Sequence, residues 1–177
     1  MQHKSFGEMT CPIARTLDLV GEWWSILILR DCFAGIRRFD DFQASLGIGT
    51  NTLTRRLNAL VEAGMLERHR YSERPPRHEY LLTRRGRDFR PVLLALLAFG
   101  NAELTPEGET VVIVDATTGR QADPVVVDRR SGLELMEPRF RLAPGPAAKG
   151  ATRERLASGR NEMLRPRPGP AESGPAA

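Results

Sequence analysis

The sequence is poor in cysteine and has no long hydrophobic run. Its two cysteines, Cys11 and Cys32, form no CxxC motif, which argues against a zinc site and against a disulfide scaffold. The apolar runs at 26–29 and 92–99 are far shorter than the roughly 20 residues that a membrane-spanning helix needs. The N-terminus is polar up to Thr10 and lacks the apolar core of a signal peptide. We therefore expect a cytoplasmic protein with no metal, no cofactor and no membrane partner.

Sequence motifs of common enzyme classes are also missing. The chain contains no phosphate loop, no dinucleotide-binding fingerprint, no HExxH motif and no G-x-S-x-G elbow. The spacing of His3, His69 and His78 pairs none of them with Cys11. We therefore predict that the protein is not an enzyme, and a thiol-dependent enzyme built around Cys11 is the disfavoured alternative.

Lysine is scarce as well, because only Lys4 and Lys149 occur among the 26 basic residues. The formal net charge of +4 at pH 7 is too small to indicate nucleic-acid binding by itself. The distribution is more informative, since six arginines and three glutamates occur between Asn51 and His78. Aromatic residues make up only 6% of the chain, but 41% apolar residues over 177 positions are enough for one compact domain with appendages.

Residues 39–63 have the pattern of a helix-turn-helix. Phe39, Phe42 and Leu46 mark one apolar face of a short helix, and 47–49 is a glycine turn. A second helix, Thr50 to Ala63, has its own apolar face and is ended by a glycine. Its other face carries groups that donate hydrogen bonds to phosphates and base edges. The DNA-binding residues predicted on and beside this face are Thr50, Asn51, Thr52, Thr54, Arg55, Arg56 and Asn58.

A basic hairpin is predicted directly after this helix. Residues 65–71 and 79–83 read as strands, and 72–78 reads as a proline-containing loop. Arg74 and Arg77 lie in the loop, where guanidinium groups suit the DNA backbone or the minor groove. We predict that both contact DNA as part of a wing. The alternatives are a solvated hairpin and a winged helix that serves protein contact or RNA binding.

Helices are also predicted on both sides of this region. The N-terminal helix begins at Pro12. A second helix, 22–33, is hydrophobic on most sides, as expected for a buried helix. Trp23 and Trp24 are expected to be packing residues, with a ligand cage as the alternative. After Thr83, a helix over 84–103 is predicted with a kink or restart at Pro91. Because 93–99 is very apolar, we expect this helix and the N-terminal helix to form a dimer seam, with packing against the C-terminal extension as the alternative.

The C-terminal third has a different composition. The β-branched runs 111–114 and 125–127, together with 133–142, are expected to form a small sheet of unassigned role. From residue 143 the chain is rich in Pro, Gly, Ala and Arg, which predicts disorder. The predicted fold is therefore mainly α with a β-hairpin wing. Its parts are a winged helix-turn-helix domain at 1–104, a β-rich extension at 105–142 and a disordered tail at 143–177.

The order of motifs along residues 8–104 resembles that of the HxlR-type winged-helix transcriptional regulators, which are related to the MarR group. The motifs are Cys11-Pro12-Ile13, Gly21-Glu22-Trp23-Trp24, the apolar run 26–29, Arg38-Phe39, the segments 53–57, 62–66 and 79–83, and Gly86. The resemblance implies a homodimer that binds operator DNA with the helix Thr50 to Ala63 in the major groove. A two-fold dimer places its recognition helices about 34 Å apart, which predicts an inverted-repeat operator. Repression is the interpretation that the resemblance favours.

Cys11 is the candidate site for a signal. It precedes Pro12 at a helix start, where the positive end of the helix dipole favours a thiolate. Some members of the resembled family use a cysteine at this position to sense electrophiles or oxidants. Release of DNA by an electrophile, an oxidant or a small molecule is therefore the expected regulation, and a purely structural cysteine is the alternative.

Overall fold

The structure is a computed structural model that describes residues 5–136 and 139–157. The chain divides into two compact units, Met1–Ala122 and Asp123–Ala177. Unit 1 contains eight of the elements: α1 (Pro12–Val20), α2 (Trp23–Phe33), α3 (Phe39–Leu46), α4 (Thr50–Glu62), β1 (Leu66–Glu73), β2 (Pro76–Leu82), α5 (Arg84–Asp88) and α6 (Arg90–Glu103). Unit 2 contains α7 (Gly150–Ala157). Among the described residues, no helix is long and apolar enough to cross a membrane.

The core of unit 1 fixes the helix-turn-helix. Phe42 of α3 and the three leucines of α4 at 53, 57 and 60 have no exposed surface, and they pack with Ile28 and Leu29 of α2. Gly47 ends α3 in the left-handed conformation with φ of 60°, and Gly64 follows α4 with φ of 67°. The predicted apolar faces are therefore confirmed. Because these faces are buried, the polar face of α4 must point outward.

The predicted break at Pro91 is confirmed. Thr83 caps α5 by accepting a hydrogen bond from the Gly86 amide at 3.1 Å, and α6 begins with Pro91 in its first turn. Gly86 has no room for a side chain, because a Cβ there would collide with the backbone carbonyl of Met65. The start of α5 is thus packed directly against the turn that follows α4.

The wing is longer than predicted. β1 and β2 pair antiparallel from Leu66 opposite Leu82 to Glu73 opposite Pro76, with an irregularity between Arg70 and Ser72. Most of the predicted loop 72–78 is therefore strand, and the turn is reduced to residues 74 and 75. The amide of Tyr80 also donates to the Arg37 carbonyl at 2.8 Å, and Arg38 forms an isolated bridge with Glu79 that the sequence pattern did not indicate.

The two tryptophans behave differently. Trp24 is half-buried and packs against the core, as predicted. Trp23 has 76% of its surface exposed, so among the described residues it does not pack as predicted. Trp23 is the first residue of α2, and its side chain is exposed although Ser25, two residues further along the helix, is buried.

The extension contains a repeated turn and no three-stranded sheet among the described residues. Asp115 begins a turn that ends at Gly119, and thirteen residues later Asp128 begins a turn that ends at Gly132. Each closes its own hairpin through one isolated bridge, at 114–121 in unit 1 and at 127–134 in unit 2. The predicted sheet is therefore replaced by two separate hairpins, because each valine run pairs with residues just beyond its own turn.

Hydrogen bonds within each turn explain the shared sequence Val-Asp-x-x-Ser/Thr-Gly. The Asp115 carboxylate accepts from the backbone amide of Thr117 at 2.7 Å, which lowers the pKa of Asp115. The Asp128 carboxylate accepts from the hydroxyl of Ser131 at 2.7 Å, which lowers the pKa of Asp128. Gly119 and Gly132 both have positive φ, so the last position of each turn favours glycine.

The predicted tail contains one element. Residues 143–149 have neither helix nor strand, but α7 follows at Gly150–Ala157, so predicted disorder does not describe these eight residues. The guanidinium of Arg153 donates to the Ala148 carbonyl at 2.8 Å near the start of this helix. The remainder of the predicted tail, 158–177, lies outside the described residues.

Candidate nucleic-acid interface

Four of the predicted DNA-binding residues lie together on the exposed face of α4. Asn51, Thr54, Arg55 and Asn58 line one shallow depression along the helix. Their spacing of three and four residues puts them on one side of the helix, opposite the buried leucines. In the described part of the chain, Arg55 has no ion pair and no side-chain hydrogen bond, so its guanidinium can bind an external acceptor.

The threonines at the start of α4 have partly local roles. The Thr50 hydroxyl accepts a hydrogen bond from the Gln43 amide at 3.0 Å, which links α4 to α3. The Thr54 hydroxyl donates to the Thr50 carbonyl at 2.9 Å, which leaves its oxygen able to accept. Thr52 is half-buried and lies beside the exposed face. Thr50 and Thr54 are exposed, so of the three only Thr52 is turned partly inward.

Arg56 is separated from the other predicted residues. Its Nη2 lies 2.7 Å from the Glu22 carboxylate, at the N-terminal end of α2, and only 16% of its side chain is exposed. Its Nε is buried without a hydrogen-bond partner. The sequence carries a signal for this placement, because residue 56 follows Leu53 by three and precedes Leu60 by four, next to the apolar face. Arg56 therefore connects the recognition helix to α2.

The wing presents some of its arginines and uses others internally. Arg74 is exposed at the turn, and Arg77 is exposed with its Nη1 3.8 Å from the Asp40 carboxylate. Arg70 instead lies 3.0 Å from the Glu73 carboxylate and donates to the carbonyls of residues 72 and 73. The guanidinium of Arg38 lies 4.7 Å from the centre of the Tyr71 ring, a contact that the sequence pattern did not indicate. Arg74 and Arg77 are therefore both accessible to an anionic partner.

The comparison with protein families agrees with this geometry. A model described as HxlR-like helix-turn-helix matches residues 19–108, about half of the chain and the region that contains α2 to α6. The chain belongs to the HxlR-like helix-turn-helix family. It is a transcriptional regulator with a helix-turn-helix DNA-binding fold.

Individual relatives of this HxlR-like chain extend the similarity. An uncharacterised HTH-type transcriptional regulator of Mycobacterium tuberculosis is 40% identical over 150 residues, 84% of this chain and 93% of that protein. A putative transcription factor from Pseudomonas aeruginosa is similar in structure, with a TM-score of 0.59, 50% identity, and coverage of 82% of this chain and 100% of that one. The redox regulator HypR in its reduced form has a TM-score of 0.50 and 30% identity over 55% of this chain and 99% of that one. Because the first match spans 150 residues, it includes part of the extension beyond residue 108.

In this HxlR-like chain, the first and last helices of unit 1, α1 and α6, expose apolar residues. No residue of α6 is buried, although most of its residues are apolar. Val92, Leu96 and Phe99 are exposed at spacings of four and three. Ile13 and Leu17 are exposed at the same spacing on α1. Each helix therefore carries an apolar stripe that the single chain leaves open.

The two cysteines have different surroundings. Cys11 is half-buried at the residue that precedes α1, as predicted, and neither cysteine forms a disulfide. Cys32 packs against the core. Burial raises the pKa of the Cys32 thiol to about 12, and the neighbouring Asp31 carboxylate adds to the shift. Cys32 is therefore an uncharged thiol at neutral pH.

Proposed function

We propose that the protein is a homodimeric repressor that binds an inverted-repeat operator in double-stranded DNA. The observation that carries this proposal is the two-sided character of α4. Its leucines are fully buried, while Asn51, Thr54, Arg55 and Asn58 form one exposed polar face. Because its leucines stay packed in the core, α4 can place its exposed face in the major groove without a change in the fold.

The contacts divide into base readout and backbone binding. Arg55 can bind guanine through two hydrogen bonds, and Asn51 or Asn58 can bind adenine in the same manner. Arg74 and Arg77 bind phosphates from the wing. Thr50 and Thr52 lie beside the base-reading residues, whereas Arg56 supports the helix through Glu22 and belongs to a separate group.

Dimerisation is proposed to use the apolar stripes of α1 and α6. Leu96 and Phe99 of α6 and Ile13 of α1 would be buried against the same residues of a second copy. A two-fold axis would then set the recognition helices about 34 Å apart, one turn of the double helix. The DNA partner is bacterial chromosomal DNA, so the regulator acts in the cytoplasm.

Regulation is proposed to act through Cys11. Its position before α1 supports thiolate formation, and α1 belongs to the proposed dimer seam. The similarity to HypR, which is named a redox regulator, supports the same interpretation. Oxidation or alkylation of Cys11 would change the seam and release the operator.

Selection of bound duplexes from a random DNA library tests the main proposal. We expect an enriched inverted repeat whose half-sites are one helical turn apart. Affinity for the selected duplex, compared with a scrambled duplex at the same salt concentration, then gives the specificity ratio. Sequence-independent binding, lost equally from both duplexes as salt rises, would contradict the proposal.

A further inference from the structure

Two exposed threonines of α4, Thr50 and Thr54, use their hydroxyl groups in opposite ways. The Thr50 hydroxyl accepts a hydrogen bond from the Gln43 side-chain amide at 3.0 Å, so its own hydrogen stays available to a partner. The Thr54 hydroxyl donates to the Thr50 carbonyl at 2.9 Å, so its hydrogen is already used. What Thr54 offers to a partner is therefore its methyl group and the remaining lone pair of its oxygen.

The bond to the Thr50 carbonyl also fixes the direction of the Thr54 methyl group. A threonine carries its hydroxyl and its methyl group on the same Cβ, and a hydroxyl bonded to the carbonyl four residues earlier selects one χ1 conformation. With the oxygen turned back towards the helix backbone, the methyl group takes a different direction at this tetrahedral carbon. Because Thr54 is exposed and lines the depression on α4, its methyl group is accessible to a molecule that enters the depression.

The N-terminal half of the depression suits the major groove better than the C-terminal half. Around Thr54, the depression is lined by Asn51, Arg55, Asn58, Ala59 and Glu62. Glu62 is the last residue of α4, and its carboxylate repels DNA phosphates. In helix-turn-helix proteins the N-terminal residues of the recognition helix contact the base edges. Thr54 and Arg55 lie in this favourable half.

We propose that the methyl group of Thr54 recognises the 5-methyl group of a thymine in each operator half-site. Thymine presents a methyl group in the major groove, and the methyl group of a threonine is among the side-chain groups that contact it. Contact between the two methyl groups removes apolar surface of both from water, which favours thymine over a base without this group. This role rests on the proposed DNA-binding function of α4.

The Thr54 oxygen is less suited to base recognition than its methyl group. Adenine and cytosine present amino groups in the major groove, and these need an acceptor. The Thr54 oxygen is turned to the Thr50 carbonyl, so an amino group would have to approach it beside the helix backbone. Asn51 and Asn58 carry amide oxygens on longer side chains along the same depression, and these are the better acceptors.

The position of Thr54 beside Arg55 predicts where the thymine lies in the half-site. Consecutive Cα atoms are about 3.8 Å apart, close to the roughly 3.4 Å between neighbouring base pairs. Arg55 is proposed to bind guanine. The thymine recognised by Thr54 should therefore belong to the A·T pair next to that G·C pair.

Replacement of thymidine by deoxyuridine in the operator tests this assignment, because it removes only the methyl group. The duplex is the inverted repeat enriched from the random library, with one thymine position of the half-site replaced at a time. At the position recognised by Thr54, we expect wild-type affinity to fall about fourfold for one half-site and about fifteenfold for both. Fluorescence anisotropy at constant salt concentration measures the affinity for each duplex.

Two replacements of Thr54 separate its methyl group from its hydroxyl group. Thr54→Ser keeps the hydroxyl that bonds the Thr50 carbonyl and removes the methyl group, so it should bind the thymidine and deoxyuridine operators equally. Thr54→Val removes the oxygen and keeps a methyl group in the same place, so it should retain the preference for thymidine.

Thr16→Ser is the matched control for these variants. The Thr16 hydroxyl also donates to the carbonyl four residues earlier, that of Pro12, at 3.0 Å. Thr16 lies on α1 and does not line the depression on α4. Its replacement removes the same methyl group from the same local geometry and should leave the preference for thymidine unchanged.

The role of Thr54 is overturned if the wild-type protein binds the deoxyuridine operators as tightly as the thymidine operator at every position. It is also overturned if Thr54→Ser still prefers thymidine. A Thr54→Val protein without the preference would assign the recognition to the oxygen and overturn the methyl contact. If the selection enriches no inverted repeat, the DNA-binding proposal itself has failed. An enriched repeat that tolerates deoxyuridine everywhere removes only the role of Thr54.

Discussion

Arg55 and Arg56 are neighbours in the sequence but lie on different sides of α4. Arg55 is on the exposed face with Asn51 and Asn58, and Arg56 is turned inward to the Glu22 carboxylate at 2.7 Å. A rotation of about 100° per residue is enough to separate an exposed side chain from a largely buried one. Loss of the Arg55 side chain and loss of the Arg56 ion pair should therefore have different effects on DNA binding and stability.

Replacement of Arg55 by alanine should remove a base contact. We expect operator binding to weaken by about 1–3 kcal/mol, while binding to random DNA changes much less. The thermal midpoint should stay close to that of the wild type, because the Arg55 side chain has no intramolecular partner among the described residues. Gel-shift titrations on operator and scrambled duplexes measure the difference. Equal losses on both duplexes would mean that Arg55 contacts only phosphate.

Replacement of Glu22 by glutamine should act through Arg56. The largely buried guanidinium would lose its charged partner, so we expect the free energy of unfolding to fall by about 1–3 kcal/mol. Operator affinity should also fall, but its salt dependence should not change, because no phosphate contact is lost. Urea denaturation and gel shifts at several salt concentrations measure both effects. Replacement of Asp88, which is exposed, is the control, and a changed salt slope in Glu22→Gln would contradict the positioning role.

The cysteines should respond differently to oxidation. Because burial raises the pKa of Cys32 to about 12, its thiolate population at neutral pH is negligible and it should resist diamide. Cys11 lies at the start of α1. We expect diamide, itself reduced to the hydrazine, to oxidise the Cys11 thiols of two copies to an intersubunit disulfide and so to release the operator. Cys11→Ser should abolish the release, and Cys32→Ser should leave it intact. The idea fails if the Cys11→Ser protein still releases DNA on oxidation.

Among the elements, those with a clear hydrophobic period could be predicted from the sequence. The faces of α3 and α4 follow from phenylalanine and leucine spacing, and the break before α6 follows from Pro91. Asn51, Thr54, Arg55 and Asn58 were placed on an exposed face by the same spacing. These features depend on local sequence, so the amino-acid sequence alone is enough to predict them.

Other elements depend on partners that are distant in the sequence. The length of β1 and β2 is set by cross-strand pairing, which extends through the charged and proline-containing residues 72–78. The isolated bridge between Arg38 and Glu79 forms where the Tyr80 amide of the wing donates to the Arg37 carbonyl. The spacing of α4 places Arg56 next to the apolar face, but its ion pair with Glu22, just before α2, is formed only in the folded chain. In each case the missing information is tertiary contact.

The stability of the fold should be sensitive to one methyl group added at Gly86, which packs against the turn between α4 and the wing. Gly86→Ala would place a Cβ against the Met65 carbonyl, and we expect it to destabilise the fold by about 1–3 kcal/mol. Gly100→Ala is the matched control, because Gly100 lies in α6 and nothing is near its added Cβ. It should stabilise the fold by about 0.5–1 kcal/mol through helix propensity. Urea denaturation of the two variants measures this contrast, and similar stabilities would contradict the tight packing at residue 86.

At the scale of the whole molecule, the described part of unit 1 exposes apolar surface on its first and last helices. The exposed stripes on α1 and α6 are much more apolar than the surface of α4. The first hairpin is attached near the end of α6, where the Asn101 amide donates to the Val111 carbonyl at 2.9 Å and to the Glu109 carboxylate at 3.1 Å. These bonds hold the hairpin at the end of the helix, but they leave Val92, Leu96 and Phe99 exposed.

A charge on this stripe should therefore separate the copies without unfolding them. Phe99 is 53% exposed in the single chain, so Phe99→Asp costs little there but would bury an unpaired carboxylate in the proposed dimer. We expect analytical ultracentrifugation to show a monomer. Operator affinity should fall by a factor of about one hundred or more, because two half-sites are no longer bound as one event. Val125→Asp changes an equally exposed apolar residue in unit 2 and should leave both properties unchanged. A Phe99→Asp protein that remains dimeric would place the seam elsewhere and would leave the apolar stripe of α6 without the partner proposed for it.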